Sequence, residues 1–368
     1  MHGDDERWMT RALELAQVAN GHTSPNPSVG VVVVRNGVCV GAGHHARAGE
    51  PHAEVFALRE AGGRARGATL YTTLEPCSHT GRTPPCADLI VRNEVARVVS
   101  AMQDPDPRVA GRGHERLRAA GVVVDVGIRE RVARRTHAAY IRWKTTGLPF
   151  VTMKVAMSLD GKTATTTGES QWITSEPARV EGHRLRDRHD AILVGVRTVL
   201  ADDPALTTRL PEGGGRDPAR IVLDTHARTP MTARIFAQLD SAPTIVVTGE
   251  TADPARVSAL RDAGASVWRV PADDGGLEVG HVLSRCGEDG ILSLLLEGGS
   301  RVRGSFVRAR LVDRVVAFVA PKILGGHDAT PAVAGPGFER LADGLELTRW
   351  TTRVCGADVV LDGLVAPR

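Results

Sequence analysis

The sequence predicts an α/β protein that is built from two domains. The chain has 368 residues, and chains longer than about 250–300 residues usually divide into more than one hydrophobic core. In both halves, short apolar runs alternate with segments of helical composition, which is the pattern of strands and helices. The run Thr145-Thr146-Gly147-Leu148-Pro149 interrupts this alternation with glycine and proline. We therefore expect one domain over residues 1–146 and a second over residues 147–368.

Composition narrows the class of protein. The 46 basic and 43 acidic residues give a net charge of +3. This near balance does not indicate nucleic acid as a partner. The polar start, Met1 to Arg7, does not resemble a secretory signal, and no apolar run reaches membrane-spanning length, so we expect no membrane partner. Five cysteines, an odd number, indicate the reducing cytoplasm.

The first half predicts a strand, a hairpin and a helix in succession. Val29–Val34 reads as a buried strand, and Asn36-Gly37 is the two-residue signal of a hairpin that returns as Val38–Gly43. Ala53–Glu60 has helical composition, and Ala68–Leu74 reads as the next strand. We expect that strand to end at Glu75-Pro76-Cys77, where a second helix begins.

The basic run from Arg129 to Lys144 predicts a helix with a solvated face.

After the domain boundary at Thr145–Pro149, the run Phe150–Met157 predicts a buried strand. Further on, Leu294–Leu296 predicts a strand that runs into Glu297-Gly298-Gly299 and then into a helix over Arg301–Arg310. A glycine turn before a helix presents backbone N–H groups to a phosphate. This half has no Gly-x-Gly-x-x-Gly fingerprint, so the turn alone does not establish a nucleotide site.

Three potential metal ligands and a carboxylate indicate the chemistry of the first half. Pro51-His52-Ala53-Glu54 is followed by Pro76-Cys77 and by Cys86. One imidazole and two thiolates are zinc ligands, and a catalytic zinc site leaves its fourth position to water. Zinc turns that water into a hydroxide nucleophile near neutral pH. Glu54, too close to His52 to be a ligand, is predicted to carry a proton to the departing amine. This set is typical of a zinc-dependent nucleobase deaminase.

Other interpretations of these residues stay open. The cysteines could be buried thiols, and the usual deaminase spacing is Pro-Cys-x-x-Cys, whereas residues 78–85 separate the thiols here. A structural zinc site would need a fourth protein ligand, which His79 or His44 could supply. The predicted helix starts favour catalysis, because the positive end of a helix dipole stabilises a thiolate.

Longer motifs carry a resemblance to a known family. The first half resembles the deaminase domain of the bifunctional riboflavin-biosynthesis deaminase/reductase over these runs: Leu74–Cys86, Thr23–Gly30, Ala101–Pro105 and Val109–Gly113. The second half resembles the reductase domain of the same family at Ser158–Lys162, Gly168–Thr174 and Asp202–Thr207. The resemblance implies a cytidine-deaminase-like three-layer domain with zinc, followed by a dihydrofolate-reductase-like α/β domain that uses NADPH.

The resemblance also implies substrates and contacts. The substrates would be phosphoribosylamino-pyrimidines, which lose an exocyclic amine and then have their ribose reduced to a ribityl chain. Asn26 would contact the deaminase substrate, and His79 and Arg82 are further candidates for that role. NADPH would contact Ala156, Trp172, Thr198, Asp202, Thr225 and the turn Gly299, Ser300, Arg301, Val302, Arg303, Gly304 and Ser305. The reductase substrate would contact Lys154, Ser170, Arg186, Leu206, Arg209 and Glu297. Arg186 and Arg209 suit phosphate because a guanidinium fork matches its oxygens.

Two other classes of function remain alternatives. One is a deaminase of another base or nucleotide, with the second half as a binding or regulatory module. The other is a non-enzymatic interaction protein that zinc stabilises. Glu54 argues against the interaction protein, because a structural zinc site does not use a proton carrier. The reductase motifs argue against the lone deaminase. We also expect a homo-oligomer.

Overall fold

A computed structural model describes residues 2–78, 84–107, 109–273 and 276–367. The chain separates into two compact units, one ending at Gly147 and the other beginning at Leu148. Each unit has its own buried apolar core. None of the helices in these described ranges has both the length and the apolar character needed to cross a bilayer.

The first unit alternates helices and strands along the chain. The described elements, in order, are α1 (His2–Val18), β1 (Gly30–Arg35), β2 (Val38–His44), α2 (Ala53–Ala61), β3 (Thr69–Thr72), α3 (Cys86–Arg92), β4 (Arg97–Ser100), α4 (Arg112–Ala119), β5 (Val123–Val126), α5 (Glu130–Thr136) and α6 (Ala138–Thr146). The strands form one sheet in the order β2-β1-β3-β4-β5. β1 runs antiparallel to both of its neighbours, and β3, β4 and β5 are parallel.

Helices cover both faces of this sheet. A Cβ on Gly30 would lie 2.0 Å from the carbonyl oxygen of Ala12 in α1. A Cβ on Gly41 would lie 2.1 Å from the carbonyl oxygen of Ala57 in α2. Gly30 and Gly41 point to opposite faces, because Gly41 pairs with Val33, three residues along β1 from Gly30. The helices therefore pack directly against the strands, and the predicted three-layer arrangement is confirmed.

The hairpin and the first helix follow the predictions closely. Arg35 pairs with Val38, and Asn36 and Gly37 both have positive φ angles, 50° and 75°, as a type I′ turn requires. The helix predicted over Ala53–Glu60 extends one residue further.

Two predicted elements of this unit were wrong. The second helix begins at Cys86 rather than at Cys77. Pro84 precedes Pro85, and a residue before proline is held out of the helical region, so the helix starts only after the prolines. The basic run forms two helices, α5 and α6, on either side of His137, rather than the single helix that was predicted. Tyr140 of α6 is buried, as expected for an apolar residue in a helix with one solvated face.

The second unit is built around a larger sheet. Its described elements are β6 (Phe150–Ser158), α7 (Glu176–Asp187), β7 (Ala191–Gly195), α8 (Val196–Asp202), β8 (Ala219–Leu223), β9 (Thr244–Gly249), α9 (Pro254–Asp262), β10 (Ser266–Val270), β11 (Ala272–Asp273), β12 (Gly276–Leu277), α10 (Val279–Glu288), β13 (Ser293–Leu296), α11 (Ser300–Arg308), β14 (Arg314–Ala320), β15 (Leu347–Cys355) and β16 (Asp358–Val365).

Nine strands of this unit form one sheet in the order β10-β9-β8-β7-β13-β6-β14-β16-β15. The strands from β10 to β14 are parallel, and β16 and β15 extend the edge in antiparallel pairing. The central strands are almost wholly apolar, as in β13 (Ser293-Leu294-Leu295-Leu296), because helices bury both faces of a parallel sheet. The α/β class predicted for this half is confirmed.

Candidate functional site

Three ligand atoms meet at the starts of two helices in the first unit. His52 directly precedes α2, Cys86 is the first residue of α3, and Cys77 lies in the segment before α3. The Nδ1 atom of His52 is 3.2 Å from the Sγ of Cys86 and 3.7 Å from the Sγ of Cys77. All three ligand atoms lie within 4.8 Å of one another.

These distances fit a tetrahedral zinc ion. Zn–S bonds of about 2.3 Å and Zn–N bonds of about 2.0–2.1 Å place the nitrogen and a sulfur about 3.6 Å apart at the tetrahedral angle. The two observed distances lie on either side of that value. Within the described ranges the cluster comprises three ligands and does not include His44, while His79 lies outside those ranges. Three protein ligands match a catalytic zinc site, which keeps one position open.

The start of α3 favours the thiolate form of Cys77. The backbone N–H of Cys86 donates a hydrogen bond to the Cys77 Sγ at 3.3 Å. A hydrogen bond from the Cys86 thiol, together with His52, lowers the pKa of Cys77 to about 4. The pKa of Cys86 is raised in turn, because its proton is shared with the Cys77 sulfur. A coordinating metal removes this competition, since it deprotonates a thiol that binds it.

Glu54 lies in the first turn of α2, two residues after His52, and its side chain is buried. Burial raises the pKa of this carboxyl, and the neighbouring Cys77 adds to the increase. A carboxyl group with a raised pKa takes up a proton more readily, as a proton carrier must. The structure thus places the predicted proton carrier beside the predicted ligands.

A cavity of about 760 Å³ opens beside His52, Glu54 and Cys77, a size that suits a small molecule. Asn26, the predicted substrate contact, lies in its wall. The Nδ2 of Asn26 is 3.0 Å from the Nε2 of His45, and the Nδ1 of His45 is 3.1 Å from the carbonyl oxygen of Pro51. Because a carbonyl only accepts, His45 donates from Nδ1 and accepts the Asn26 N–H at Nε2. This chain of hydrogen bonds orients the Asn26 amide.

The sequence analysis gave no site role to the residues on another part of the cavity wall, which are Asp104, Asp106, Tyr140 and Lys144. Asp104 belongs to the run Ala101–Pro105 that carries the family resemblance. The Tyr140 hydroxyl donates to Asp104 at 3.3 Å, and the Lys144 Nζ is 3.1 Å from a carboxylate oxygen of Asp106. Burial raises the pKa of Asp104 to about 6. Tyr140 and Lys144 belong to the basic run that predicted a helix with one solvated face, and only the packing of α6 shows that they line the cavity. The candidate Arg82 lies outside the described residues.

A second cluster of charges lies where the carboxyl end of β13 meets the middle of β6. Arg186 of α7 makes a two-pronged pair with Glu297, with Nε to Oε1 at 3.1 Å and Nη2 to Oε2 at 2.9 Å. The Nζ of Lys154, on β6, is 3.8 Å from the same Oε2. Glu297 follows β13 directly, and β13 pairs with β6, so the strand register brings these two residues together.

Burial and charge act in opposite directions on this cluster. Burial alone would raise the pKa of Glu297, but Arg186 and Lys154 lower it to about 2. Burial lowers the pKa of Lys154, although Glu297 partly restores it. The carboxylate is therefore charged at neutral pH and holds two cations beside it.

The two predicted phosphate contacts differ in their surroundings. Arg186 is only partly exposed, and its guanidinium donates to Glu297 and, at 3.0 Å, to the carbonyl oxygen of Thr207. Arg209 is exposed and donates to the Thr207 hydroxyl at 2.9 Å. Arg209 is thus better placed than Arg186 to meet a phosphate from solvent. Leu206 is buried beside Thr207, and Ser170 is half-buried in the connection between β6 and α7.

Several residues predicted to contact NADPH lie at the same carboxyl edge of the sheet, where α/β proteins bind their ligands. Ala156 lies on β6, Thr198 in the first turn of α8, Thr225 two residues beyond β8, and Gly299 immediately before α11. A Cβ on Gly299 would lie 3.8 Å from the Thr198 hydroxyl. The structure therefore places Thr198 against the glycine turn.

Other predicted contacts have visible packing roles. Arg303 is buried and donates to the carbonyl oxygens of Gly298 and Ala332. A Cβ on Gly304 would lie 1.7 Å from the carbonyl oxygen of Ala334, so the helix packs there without a side chain. Asp202, at the end of α8, and Trp172 are exposed, and the guanidinium carbon of Arg179 lies 4.6 Å from the Trp172 ring centroid. The remaining predicted contacts, Ser300, Arg301, Val302 and Ser305, lie in the first turns of α11.

Fold and site together define a first unit with the metal site of a zinc-dependent deaminase and a second, α/β unit with charged residues and a glycine turn at the carboxyl edge of its sheet. The family model described as "Cytidine and deoxycytidylate deaminase zinc-binding region" matches residues 2–102, and the model described as "RibD C-terminal domain" matches residues 149–361. The first family binds zinc, and the second is a reductase domain of the NADPH-dependent type.

Comparisons over the whole chain identify the family. The riboflavin biosynthesis protein RibD of Bacillus amyloliquefaciens is 43% identical over 98% of this chain and 96% of its own length. The RibD of Escherichia coli (strain K12) is also 43% identical, over 97% of this chain and 98% of its own length. A structure of Acinetobacter baumannii RibD covers 100% of both chains at 36% identity, with a TM-score of 0.90. A Thermotoga maritima structure, named as a diaminohydroxyphosphoribosylaminopyrimidine deaminase/5-amino-6-(5-phosphoribosylamino)uracil reductase, covers 99% of both chains at 34% identity, with a TM-score of 0.84.

This chain belongs to the RibD family of riboflavin-biosynthesis proteins. It is an enzyme with deaminase and reductase activities that acts on small-molecule pyrimidines.

Proposed function

We propose that the unit ending at Gly147 deaminates 2,5-diamino-6-(5-phosphoribosylamino)pyrimidin-4-one and that the unit from Leu148 reduces the product. The reduction converts the ribosyl group of 5-amino-6-(5-phosphoribosylamino)uracil to ribityl. The observation that carries the proposal is the meeting of His52, Cys77 and Cys86 beside the buried Glu54, at a cavity of small-molecule size.

In the deaminase unit, His52, Cys77 and Cys86 would hold the zinc. Bound zinc supplies Lewis acidity, which lowers the pKa of water toward neutrality. Glu54 takes the proton that water loses on attacking the amine-bearing carbon, and delivers it to the amine. The C–N bond breaks and ammonia leaves. The second proton of the water passes to the adjacent ring nitrogen, so a carbonyl replaces the amine. Asn26, oriented by His45, holds the pyrimidine in the cavity.

In the reductase unit, Lys154 and Glu297 would position the opened sugar, and Arg209 would bind its phosphate. NADPH supplies the hydride that reduces the sugar carbonyl. Its phosphates would meet the N-terminus of α11 and the Gly298-Gly299 turn, where backbone N–H groups point outward. Lys154 is suited to give the accompanying proton, because burial lowers the pKa of its ammonium group. The predicted contacts of NADPH with Ala156, Trp172, Thr198, Asp202 and Thr225 belong to this proposal.

The test is to incubate the pure protein with the diaminopyrimidinone phosphate and to measure product masses with and without NADPH. Without NADPH we expect the deaminated ribosyl compound, and with NADPH the ribityl compound, two mass units heavier because a hydride and a proton are added. Reduction of the undeaminated compound would overturn the order, and absence of deamination by the zinc-loaded protein would overturn the first step.

Glu54→Gln separates proton transfer from metal binding. Glutamine keeps the size of the side chain but cannot carry the proton, so we expect deamination to fall by about two to four orders of magnitude. Zinc content, measured by metal analysis, should stay at the wild-type value, and reduction of supplied deaminated substrate should persist. A zinc-loaded variant that deaminates at the wild-type rate would remove Glu54 from this role.

We further propose that the enzyme acts in the cytoplasm as a homo-oligomer. All five cysteines are free thiols, as the reducing compartment requires. Sedimentation or light scattering of the purified protein would test the oligomeric state.

A further inference from the structure

One buried carboxylate in the first unit holds a whole segment of backbone. Both oxygens of Glu75 accept two backbone N–H groups each. Oε2 accepts those of Asp104 at 3.1 Å and Gly111 at 2.9 Å, and Oε1 accepts those of Gly113 at 2.8 Å and His114 at 3.3 Å. The side chain of Glu75 has no exposed surface. The four acceptor positions of a carboxylate are thus filled by one segment, which runs from Asp104 to His114 and of which residues 104–107 and 109–114 are described.

The same segment is fitted closely against the chain beside the metal ligands. A Cβ on Gly113 would lie 2.0 Å from the carbonyl oxygen of Pro76, the residue between Glu75 and Cys77. The Nε2 of His114 is 3.0 Å from the hydroxyl of Ser100, at the end of β4. Glycine at 113 therefore allows the start of α4 to reach the Glu75 carboxylate.

Residues 104–114 in turn form part of the cavity. Asp104, Asp106, Val109 and Arg112 line it together with Glu54 and Cys77. The N–H of Asp106 donates to the Asp104 carboxylate at 2.8 Å. The position of these side chains relative to the metal ligands therefore depends on the anchor that joins the segment to Glu75.

We propose that Glu75 is a positioning residue for the deaminase substrate. It holds residues 104–114 so that Asp104, Asp106 and Arg112 face the substrate while Glu54 and the ligands carry out the reaction. The residue lies in the cavity wall, but its side chain has no exposed surface, so Glu75 acts on substrate binding through the segment and does not bind the metal. The proposal rests on the proposed deaminase function and specifies how that site recognises its substrate.

The test compares Glu75→Gln with the wild type in the full-length, zinc-loaded protein. An amide has one oxygen and one NH₂ group, so either orientation turns a donor toward two of the four backbone N–H groups. We expect hydrogen exchange at the amides of Asp104, Gly111, Gly113 and His114 to speed up, while β1 and β3 stay protected. We expect the KM for deamination to rise by about tenfold or more with kcat changed by less than about threefold. Zinc content and reductase activity should not change.

Two further variants keep the test informative if Glu75→Gln does not fold. Glu75→Asp retains the charge but is one methylene shorter, so we expect it to recover part of the KM defect. Gly113→Ala places a Cβ against the carbonyl oxygen of Pro76 and so disturbs the hydrogen bond between the Gly113 N–H and Glu75. We expect it to raise KM in the same way. Glu115→Gln is the matched control, because Glu115 is exposed in α4 and should change nothing.

Loss of zinc from Glu75→Gln would overturn the proposal, since it would show that Glu75 positions Cys77 instead. A kcat loss with unchanged KM would also overturn it. Failure of the wild type to deaminate would instead overturn the proposed function. The exchange rates of the four amides would still show whether Glu75 anchors the segment.

Discussion

The ion pair of Arg186 and Glu297, which has little exposure to solvent, supports a prediction about stability. Glu297→Gln removes the negative charge but nearly preserves the shape, and leaves Arg186 and Lys154 without their counter-charge. The side chains of Arg186 and Glu297 are only 15% and 10% exposed, so solvent screens the pair weakly. Loss of one partner of such a pair costs about 3–5 kcal/mol.

The pKa of Glu297 gives a second route to the magnitude. The fall from 4.5 to about 2 corresponds to about 3 kcal/mol, at about 1.4 kcal/mol for each pH unit. Lys154 can offset part of the loss by releasing its proton, because burial already lowers its pKa. We therefore expect Glu297→Gln to lower the free energy of unfolding of the second unit by about 3 kcal/mol at pH 7.

The sign of the pH dependence follows from the lowered pKa. A carboxyl group with a lowered folded-state pKa stabilises the protein above its unfolded pKa, and this contribution is lost as pH falls toward the folded value. The difference in unfolding free energy between the wild type and Glu297→Gln should be constant from about pH 7 to pH 5 and should become smaller below about pH 4.5.

Urea unfolding of the full chain measures this difference in unfolding free energy. Hydrogen exchange at β6 and β13 shows where in the second unit the variant is destabilised. Asp362→Asn is the matched control. Its partner is Arg314, and their side chains are 30% and 32% exposed, so we expect a cost of no more than about 1 kcal/mol. Equal costs for the two variants, or a gap that does not narrow in acid, would refute this account of Glu297.

Three further predictions concern the metal, the phosphate and acid stability. Cys77→Ser or Cys86→Ser should lower zinc content and deamination because a neutral hydroxyl replaces a thiolate, while reduction of supplied intermediate persists; full zinc content in either variant would remove that cysteine from the ligands. Arg209→Ala should weaken binding of the phosphorylated reductase substrate by on the order of 1.5–3 kcal/mol, measured as KM, with NADPH affinity as the control that stays constant. Burial lowers the pKa of His137 from 6.5 to about 4, so its contribution to stability falls as pH drops through this range. The free energy of unfolding should fall by up to about 3 kcal/mol between pH 6.5 and pH 4. His137→Leu should flatten the curve of unfolding free energy against pH over this range. An unchanged slope would show that His137 is not the group responsible.

The sequence by itself determined the features that depend on neighbouring residues. Asn36-Gly37 specifies its turn through two positive φ angles, and His52 and Glu54 are two residues apart on one helix start. The metal-ligand types and the α/β alternation of the two halves are also local properties, so composition and spacing were sufficient to predict them. The longer motifs, such as Leu74–Cys86, also predicted the family to which the chain belongs.

Tertiary structure alone decided which distant groups meet. Glu297 pairs with Arg186 across 111 positions of sequence, so an arginine predicted to bind phosphate lies against a carboxylate. Glu75 meets Gly113 across 38 positions, and Tyr140 meets Asp104 across 36. No local period encodes such pairs, because they arise from strand register and from the packing of helices on the sheet. The same packing places the Nδ1 of His52 beside both sulfurs. It also places Cys77 beside Cys86, the first residue of α3, which lies nine residues further along the chain.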